Sequence, residues 1–134
     1  MGNLNNGALE RNDSRRVALI TGGSRGIGRA CAVGLAEDGF DIAVVYAGSV
    51  DAARETCEAC EAAGATARAY QCDVADPDAV NACIEAVFND FGSIWALVNN
   101  AGITRDGLLM RMGDDAFDRV LDVNLKGTFN TTRA

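Results

Sequence analysis

The chain has 134 residues, of which 49% are hydrophobic, and its formal net charge is −7. This length and composition predict one soluble globular domain with its own core. An acidic chain without a basic run argues against nucleic acid as a partner. Because the sequence contains no histidine, Ser-His-Asp and Cys-His nucleophiles and histidine-ligated zinc sites are excluded within these residues.

Residues 1–14 are polar and predict a disordered tail ahead of a single domain at 15–134. The tail is too polar for a secretory signal, and no apolar run approaches the roughly 20 residues that cross a bilayer. We therefore expect a cytoplasmic protein with no membrane partner and with reduced thiols at its five cysteines. Cys57 and Cys60 have the spacing of half a zinc site. They lack a second pair, so we interpret them as small residues on a helix face and expect no metal.

Short β-branched runs alternate with longer helical patterns along the domain. The pattern predicts strands at 16–20, 42–46, 66–71 and 94–100, and helices at 26–38, 50–63, 77–91 and 114–133. Gly64 ends the second helix, and Asp76 followed by Pro77 begins the third. Parallel strands need right-handed helical crossovers, so this order predicts a doubly wound parallel α/β sheet with strand order 3-2-1-4.

The first predicted strand is followed directly by TGGSRGIG, residues 21–28, which contains four glycines. A glycine-rich turn that opens a helix can bind a phosphate, because free amides and the positive end of the helix dipole meet bare backbone there. The loop also lies in residues 1–35, which carry a net charge of +3. The alternative is a turn that only tightens the packing of strand against helix.

Two familiar phosphate loops do not fit this stretch. The ATPase loop requires a lysine and a hydroxyl where Arg29 and Ala30 stand. The G-x-G-x-x-G loop requires a third glycine where Cys31 stands.

The spacing T-G-x-x-x-G-x-G resembles the short-chain dehydrogenase/reductase family, and NNAG, residues 99–102, matches a second signature of that family after the fourth predicted strand. NNAGITRDGLLMRM and VNLKGTF are similar to the 3-oxoacyl-acyl-carrier-protein reductases within it. The resemblance covers about residues 16–134. It implies a Rossmann-type sheet, incomplete in this chain, that binds a nicotinamide dinucleotide. The residues implied are Gly22, Gly23, Ser24, Arg25, Gly26, Ile27, Gly28, Asp73, Val74, Asn100, Ala101 and Gly102.

The second strand predicts which dinucleotide is bound. NAD enzymes usually place an acidic residue about twenty positions beyond the glycine loop, and residues 46–49 contain none. Arg25 would pair with a 2′-phosphate, or else remain a solvated surface charge, so NADP(H) is expected. The resemblance implies that Asp73 contacts the adenine amino group and that Val74 packs on the ring. The alternative for Asp73 is capping of nearby amides.

Asn124 interrupts an apolar stripe at helical spacing, formed with Phe117, Val120, Leu121 and Leu125. We expect a buried amide there, which must find hydrogen-bond partners. The resemblance implies that this asparagine helps to hold a water and proton relay beside a catalytic lysine. The alternative is that it satisfies only local backbone or water.

The resemblance implies ketone reduction by hydride transfer, with a tyrosine proton donor, a lysine four residues later and a serine. Tyr46 and Tyr70 are followed four residues later by valine, and Lys126 is preceded by Asp122, so Tyr-x-x-x-Lys is absent. We expect the cofactor-binding half of an NADPH-dependent reductase of 3-oxoacyl thioesters in fatty acid synthesis, inactive by itself and homotetrameric in its full-length form. Its substrate would be carried on acyl carrier protein or coenzyme A. The alternative is a catalytically inactive dinucleotide-binding module.

Overall fold

The structure is a computed structural model, and it describes residues 15–134. The predicted tail at 1–14 lies outside the described residues. Four parallel strands form one sheet in the order β3-β2-β1-β4, which confirms the predicted fold. The strands are β1 (Val17–Thr21), β2 (Asp41–Tyr46), β3 (Ala67–Gln71) and β4 (Ala96–Val98). The helices are α1 (Gly26–Glu37), α2 (Val50–Ala62), α3 (Pro77–Phe91), α4 (Asp114–Leu121) and α5 (Gly127–Arg133).

The two central strands, β1 and β2, are buried along their whole length. Successive side chains of a strand point to opposite faces of the sheet. Val17 and Leu19 therefore pack with α3 on one face, while Ala18 and Ile20 pack with α1 and α2 on the other. Burial on both faces explains why these strands have continuous apolar sequences.

Small side chains on α2 bring that helix close to the sheet. Cys57 and Cys60 lie in the same core cluster as Ile42, which confirms their interpretation as small residues on a helix face. Burial raises the pKa of Cys57 to about 12 and that of Cys60 to about 11. Within residues 15–134, no group of three or more His, Cys, Asp or Glu side chains is placed to hold a metal ion.

The strand β4 is shorter than the predicted 94–100. It pairs with β1 on one side, and its three residues are half-buried. Its ladder ends at Val98, and shortly beyond it the amides of Asn100 and Ala101 donate to the side-chain hydroxyl of Thr21 at 3.0 Å each. Beside it, Trp95 is 62% exposed, with the Arg16 guanidinium 4.4 Å from its ring centroid.

The predicted helix at 114–133 is present, but a π-helical turn at Asp122–Lys126 separates α4 from α5. Helical spacing predicted a buried Asn124, and this prediction was wrong: Asn124 is exposed, and Leu125 beside it is 67% exposed. The face that packs on the domain contains Val123 and Gly127 instead. A Cβ at Gly127 would lie 2.6 Å from Cγ2 of Val74, so only glycine permits this approach. No helix in the described range has the length and apolar character of a membrane span.

Candidate functional site

A cleft of about 480 Å³ lies beyond the carboxyl ends of the strands. In open α/β sheets this is where ligands bind, at the point where the winding of the chain reverses. Eight of the predicted cofactor-binding residues line it: Gly22, Ser24, Arg25, Asp73, Val74, Asn100, Ala101 and Gly102. The other four, Gly23, Gly26, Ile27 and Gly28, belong to the same loop and the first turn of α1 without lining the cleft.

Two glycines let the loop fold back on itself. Gly22 has φ +65°, a left-handed conformation that side chains rarely adopt. A Cβ at Gly28 would lie 2.1 Å from the carbonyl oxygen of Gly22, far inside contact distance. The first turn of α1 and the end of β1 can therefore approach this closely only because both positions lack a side chain.

The N-terminus of α1 has no side-chain cap and no acidic residue in its first turn. By contrast, Ser49 caps α2 by accepting from the amide of Ala52, and Asp76 caps α3. The first four N–H groups of an α-helix have no partner within the helix, and they carry its positive partial charge. The uncapped turn at residues 25–28 is thus suited to bind an anionic group such as a phosphate.

The two glycine motifs are joined by hydrogen bonds. Nδ2 of Asn100 donates to the carbonyl oxygen of Gly22 at 3.1 Å. The Thr21 hydroxyl accepts from the amides of Asn100 and Ala101 and donates to the carbonyl oxygen of Val98 at 3.4 Å. The end of β4 therefore fixes the beginning of the loop.

None of the cleft-lining residues that directly follow β2 carries a carboxylate. Ala47, Gly48 and Ser49 line the cleft after Tyr46, and Arg25, which is exposed, lines it from the glycine loop. Asp73 is the one carboxylate among the lining residues of the described chain.

Asp73 is held from two directions. One carboxylate oxygen accepts from the amide of Ala75 at 3.0 Å, and the other accepts from Nη2 of Arg119 at 3.1 Å. The capping alternative from the sequence is therefore present, and the adenine contact stays a prediction. Arg119 was not predicted from the sequence, because it lies among charged residues of α4 with no spacing that distinguishes it. Val74 is buried, with its side chain against Gly127.

Asn124 reaches back to the segment that follows the second motif. Its Oδ1 accepts from the amide of Ile103 at 2.8 Å, and its Nδ2 donates to the carbonyl oxygen of the same residue at 2.9 Å. Both bonds go to backbone 21 positions away, and the role of Asn124 beside a water relay stays a prediction. The amide lies in a π-helical turn, a feature found often at functional sites.

Neither tyrosine is placed as a proton donor with a lysine partner. Tyr70 donates its hydroxyl to Oδ2 of Asp90, away from the cleft, and burial together with that hydrogen bond raises its pKa well above the usual range. Tyr46 lines the cleft, while Lys126 is exposed on the π-helical turn.

Residues 16–134 match the profile of the family described as short chain dehydrogenase. The chain belongs to the short-chain dehydrogenase family. This membership, which the sequence motifs predicted, places it in a family of oxidoreductases that use nicotinamide dinucleotides.

Three relatives illustrate the match. The chain is 55% identical over 113 residues to the 3-oxoacyl-[acyl-carrier-protein] reductase FabG of Staphylococcus aureus, covering 84% of this chain and 46% of that protein. It is 46% identical over 117 residues to an acetoacetyl-CoA reductase of Paracoccus denitrificans, covering 87% and 46%. The crystal structure of an NAD⁺-bound xylitol dehydrogenase superposes with a TM-score of 0.84 at 36% identity, covering 89% and 46%. The chain thus spans about half the length of these relatives.

Proposed function

We propose that this chain is the dinucleotide-binding part of an NADPH-dependent reductase that acts on a 3-oxoacyl thioester. The observation that carries the proposal is the bare N-terminus of α1, held against the end of β4 by the hydrogen bond from Asn100 to Gly22. Its amides would bind the pyrophosphate, and the dinucleotide would supply the hydride. We place this protein in the cytoplasm.

The preference for NADPH is supported by the lack of a negative charge in the cleft at the end of β2. The cleft has no carboxylate at Ala47, Gly48 or Ser49 to repel a 2′-phosphate, and Arg25 lines the same cleft. In this proposal Asp73 and Val74 bind the adenine end, and residues 100–102 line the nicotinamide end.

The substrate class is supported by the two relatives whose printed names are a 3-oxoacyl-[acyl-carrier-protein] reductase and an acetoacetyl-CoA reductase. Asn124 would position the segment after Gly102, and a water relay beyond it. The substrate would be carried on acyl carrier protein or coenzyme A, and the full-length protein would be a homotetramer.

A second candidate is a dinucleotide-binding module without catalysis. It is favoured by one observation, the absence of a lysine four residues after either tyrosine in this sequence. Two measurements separate these candidates: a titration with NADPH and NADH, and an assay with acetoacetyl-CoA. Both are made on the 134-residue chain and on the complete gene product. The reductase proposal expects NADPH binding in both and turnover in the complete product. Binding without turnover in the complete product supports the module, and no dinucleotide binding contradicts both.

A further inference from the structure

The side chains of Arg29 and Thr56 contact the carbonyl oxygen of Ser24, which lies in the middle of the glycine loop. Arg29 donates to it from Nη2 at 2.7 Å and from Nε at 3.2 Å. The hydroxyl oxygen of Thr56, on α2, lies 3.2 Å from the same carbonyl oxygen. This carbonyl oxygen therefore accepts from two guanidinium nitrogens and lies within hydrogen-bond distance of a hydroxyl whose one proton can also go to the carbonyl oxygen of Ala52, at 3.2 Å.

The same two side chains connect three elements. Arg29 lies on α1, and its Nη2 also donates to the carbonyl oxygen of Ala52 on α2 at 3.0 Å. Its Nε donates to the hydroxyl of Thr56 at 3.0 Å. Thr56 is fully buried, so this polar contact is shielded from water. The planar guanidinium can serve these acceptors at once, which a lysine ammonium on a flexible stem does less well.

The position of this carbonyl fixes the direction of the next amide. The peptide bonds of the described chain include no cis bond, and in a planar trans peptide the C=O and N–H groups point in opposite directions. Because the Ser24 carbonyl points to Arg29 and Thr56, the N–H of Arg25 points to the other side of the loop. Ser24 and Arg25 both line the cleft.

We propose that Arg29 and Thr56 are positioning residues that hold the Ser24–Arg25 peptide with its N–H toward the anion of the dinucleotide. The inference rests on the proposed function, because it assumes that a phosphate binds at this loop. Without the two side chains the peptide can rotate and turn a carbonyl oxygen toward the phosphate, which replaces an attraction by a repulsion. In the sequence, Arg29 indicated only that the loop is not of the ATPase type.

The experiment compares Arg29→Met, Arg29→Lys and Thr56→Val in the complete gene product. Two quantities are measured: the dissociation constant for NADPH, and the chemical-shift change of the Arg25 amide on titration with inorganic pyrophosphate. The methionine and valine variants are expected to bind NADPH roughly tenfold to a hundredfold more weakly and to show a reduced shift of the Arg25 amide. The lysine variant is expected to lie between them and the wild type.

Two matched controls lie on α2. Glu55→Gln removes the negative charge from the exposed contact of Glu55 with Arg29, at 3.3 Å, but leaves the bonds from Arg29 to the carbonyls. Arg54→Met removes one exposed positive charge whose ion pair, with Asp51, is on the surface. Both are expected to bind NADPH as the wild type does.

The outcomes separate this inference from the function on which it rests. If the wild type binds no NADPH, the proposed function fails first. If the wild type binds NADPH and the Arg29→Met and Thr56→Val variants bind it equally well, the inference is overturned. A lower melting temperature with an unchanged shift of the Arg25 amide also overturns it, because it assigns the pair a purely structural role. Should Arg29→Met not fold, Thr56→Val and Arg29→Lys decide the question.

Discussion

Nδ2 of Asn100 donates a hydrogen bond of 3.1 Å to the carbonyl oxygen of Gly22, although 78 positions separate the two residues along the chain. The contact joins the segment after β4 to the loop after β1. These two strands are neighbours in the sheet, at the point where the winding of the chain reverses. It turns two short motifs into one site. The first predictions concern how tightly that site is built.

Gly28→Ala is expected to destabilise the domain and to abolish dinucleotide binding, because its Cβ would lie 2.1 Å from the carbonyl oxygen of Gly22. We expect a loss of about 1–3 kcal/mol in the free energy of unfolding, as for an overpacked core position. Denaturant unfolding and NADPH titration measure the two effects. Gly34→Ala is the matched control on the same helix: no atom lies within 4 Å of its Cβ, so it should be neutral or stabilising. Equal behaviour of the two variants would contradict the close approach.

Thr21→Val is expected to lower the free energy of unfolding by about 1–3 kcal/mol, because it leaves the amides of Asn100 and Ala101 without their acceptor. Valine keeps the shape of the side chain, so the change tests the hydroxyl alone. Thr21→Ser restores the acceptor and should recover most of the stability in denaturant unfolding. A serine variant no more stable than the valine variant would argue against this role of the hydroxyl.

Arg25→Met is expected to weaken NADPH binding by about tenfold and to change NADH binding little, because the guanidinium would interact only with the 2′-phosphate. The ratio of the two dissociation constants is the measurement. Arg54→Met, which removes an exposed charge outside the cleft, is the control. An equal loss for both dinucleotides would assign Arg25 to the pyrophosphate instead.

Asn124→Ala is expected to free the backbone of Ile103, because both hydrogen bonds of the amide go to that residue. Hydrogen exchange at the Ile103 amide should accelerate. Global stability should fall by less than about 1 kcal/mol, since Asn124 is exposed. Lys126→Ala, an exposed position on the same π-helical turn, serves as the control. Unchanged exchange at Ile103 would show that the contact contributes nothing to the order of this segment.

The buried thiols of α2 predict a fall in stability at high pH. Burial raises the pKa of Cys57 from 9.0 to about 12 and that of Cys60 to about 11. Above pH 9 the thiols of the unfolded chain ionise while those of the folded chain stay protonated, so the free energy of unfolding falls as pH rises toward the folded values. Denaturant unfolding between pH 8 and 11 measures the slope. Replacing both cysteines by alanine should flatten it, and an identical slope in that variant would contradict the prediction.

The strands, the helices and their order in the sheet were predicted from the sequence, because they depend on local patterns. Continuous apolar runs marked the buried strands, helical spacing marked the segments between them, and right-handed crossovers were consistent with the strand order 3-2-1-4. The glycine loop was also predicted from the sequence, since the left-handed φ of Gly22 and the approach of Gly28 to the Gly22 carbonyl are steric constraints between residues close in sequence. The extent of the C-terminal helical run was also predicted, although its π-helical turn was not.

The contacts that shape the site were decided only by the tertiary structure. Arg29 meets Thr56, and Arg119 meets Asp73, across 27 and 46 positions of the chain. Asn124 interrupts an apolar stripe, and periodicity alone placed that stripe in the core. In the structure the helix packs through Gly127, where the missing side chain allows the closest approach. Periodicity shows that a helix has an apolar face. Which face is buried is decided by the fit of side chains between elements, because that fit depends on residues far apart in the sequence.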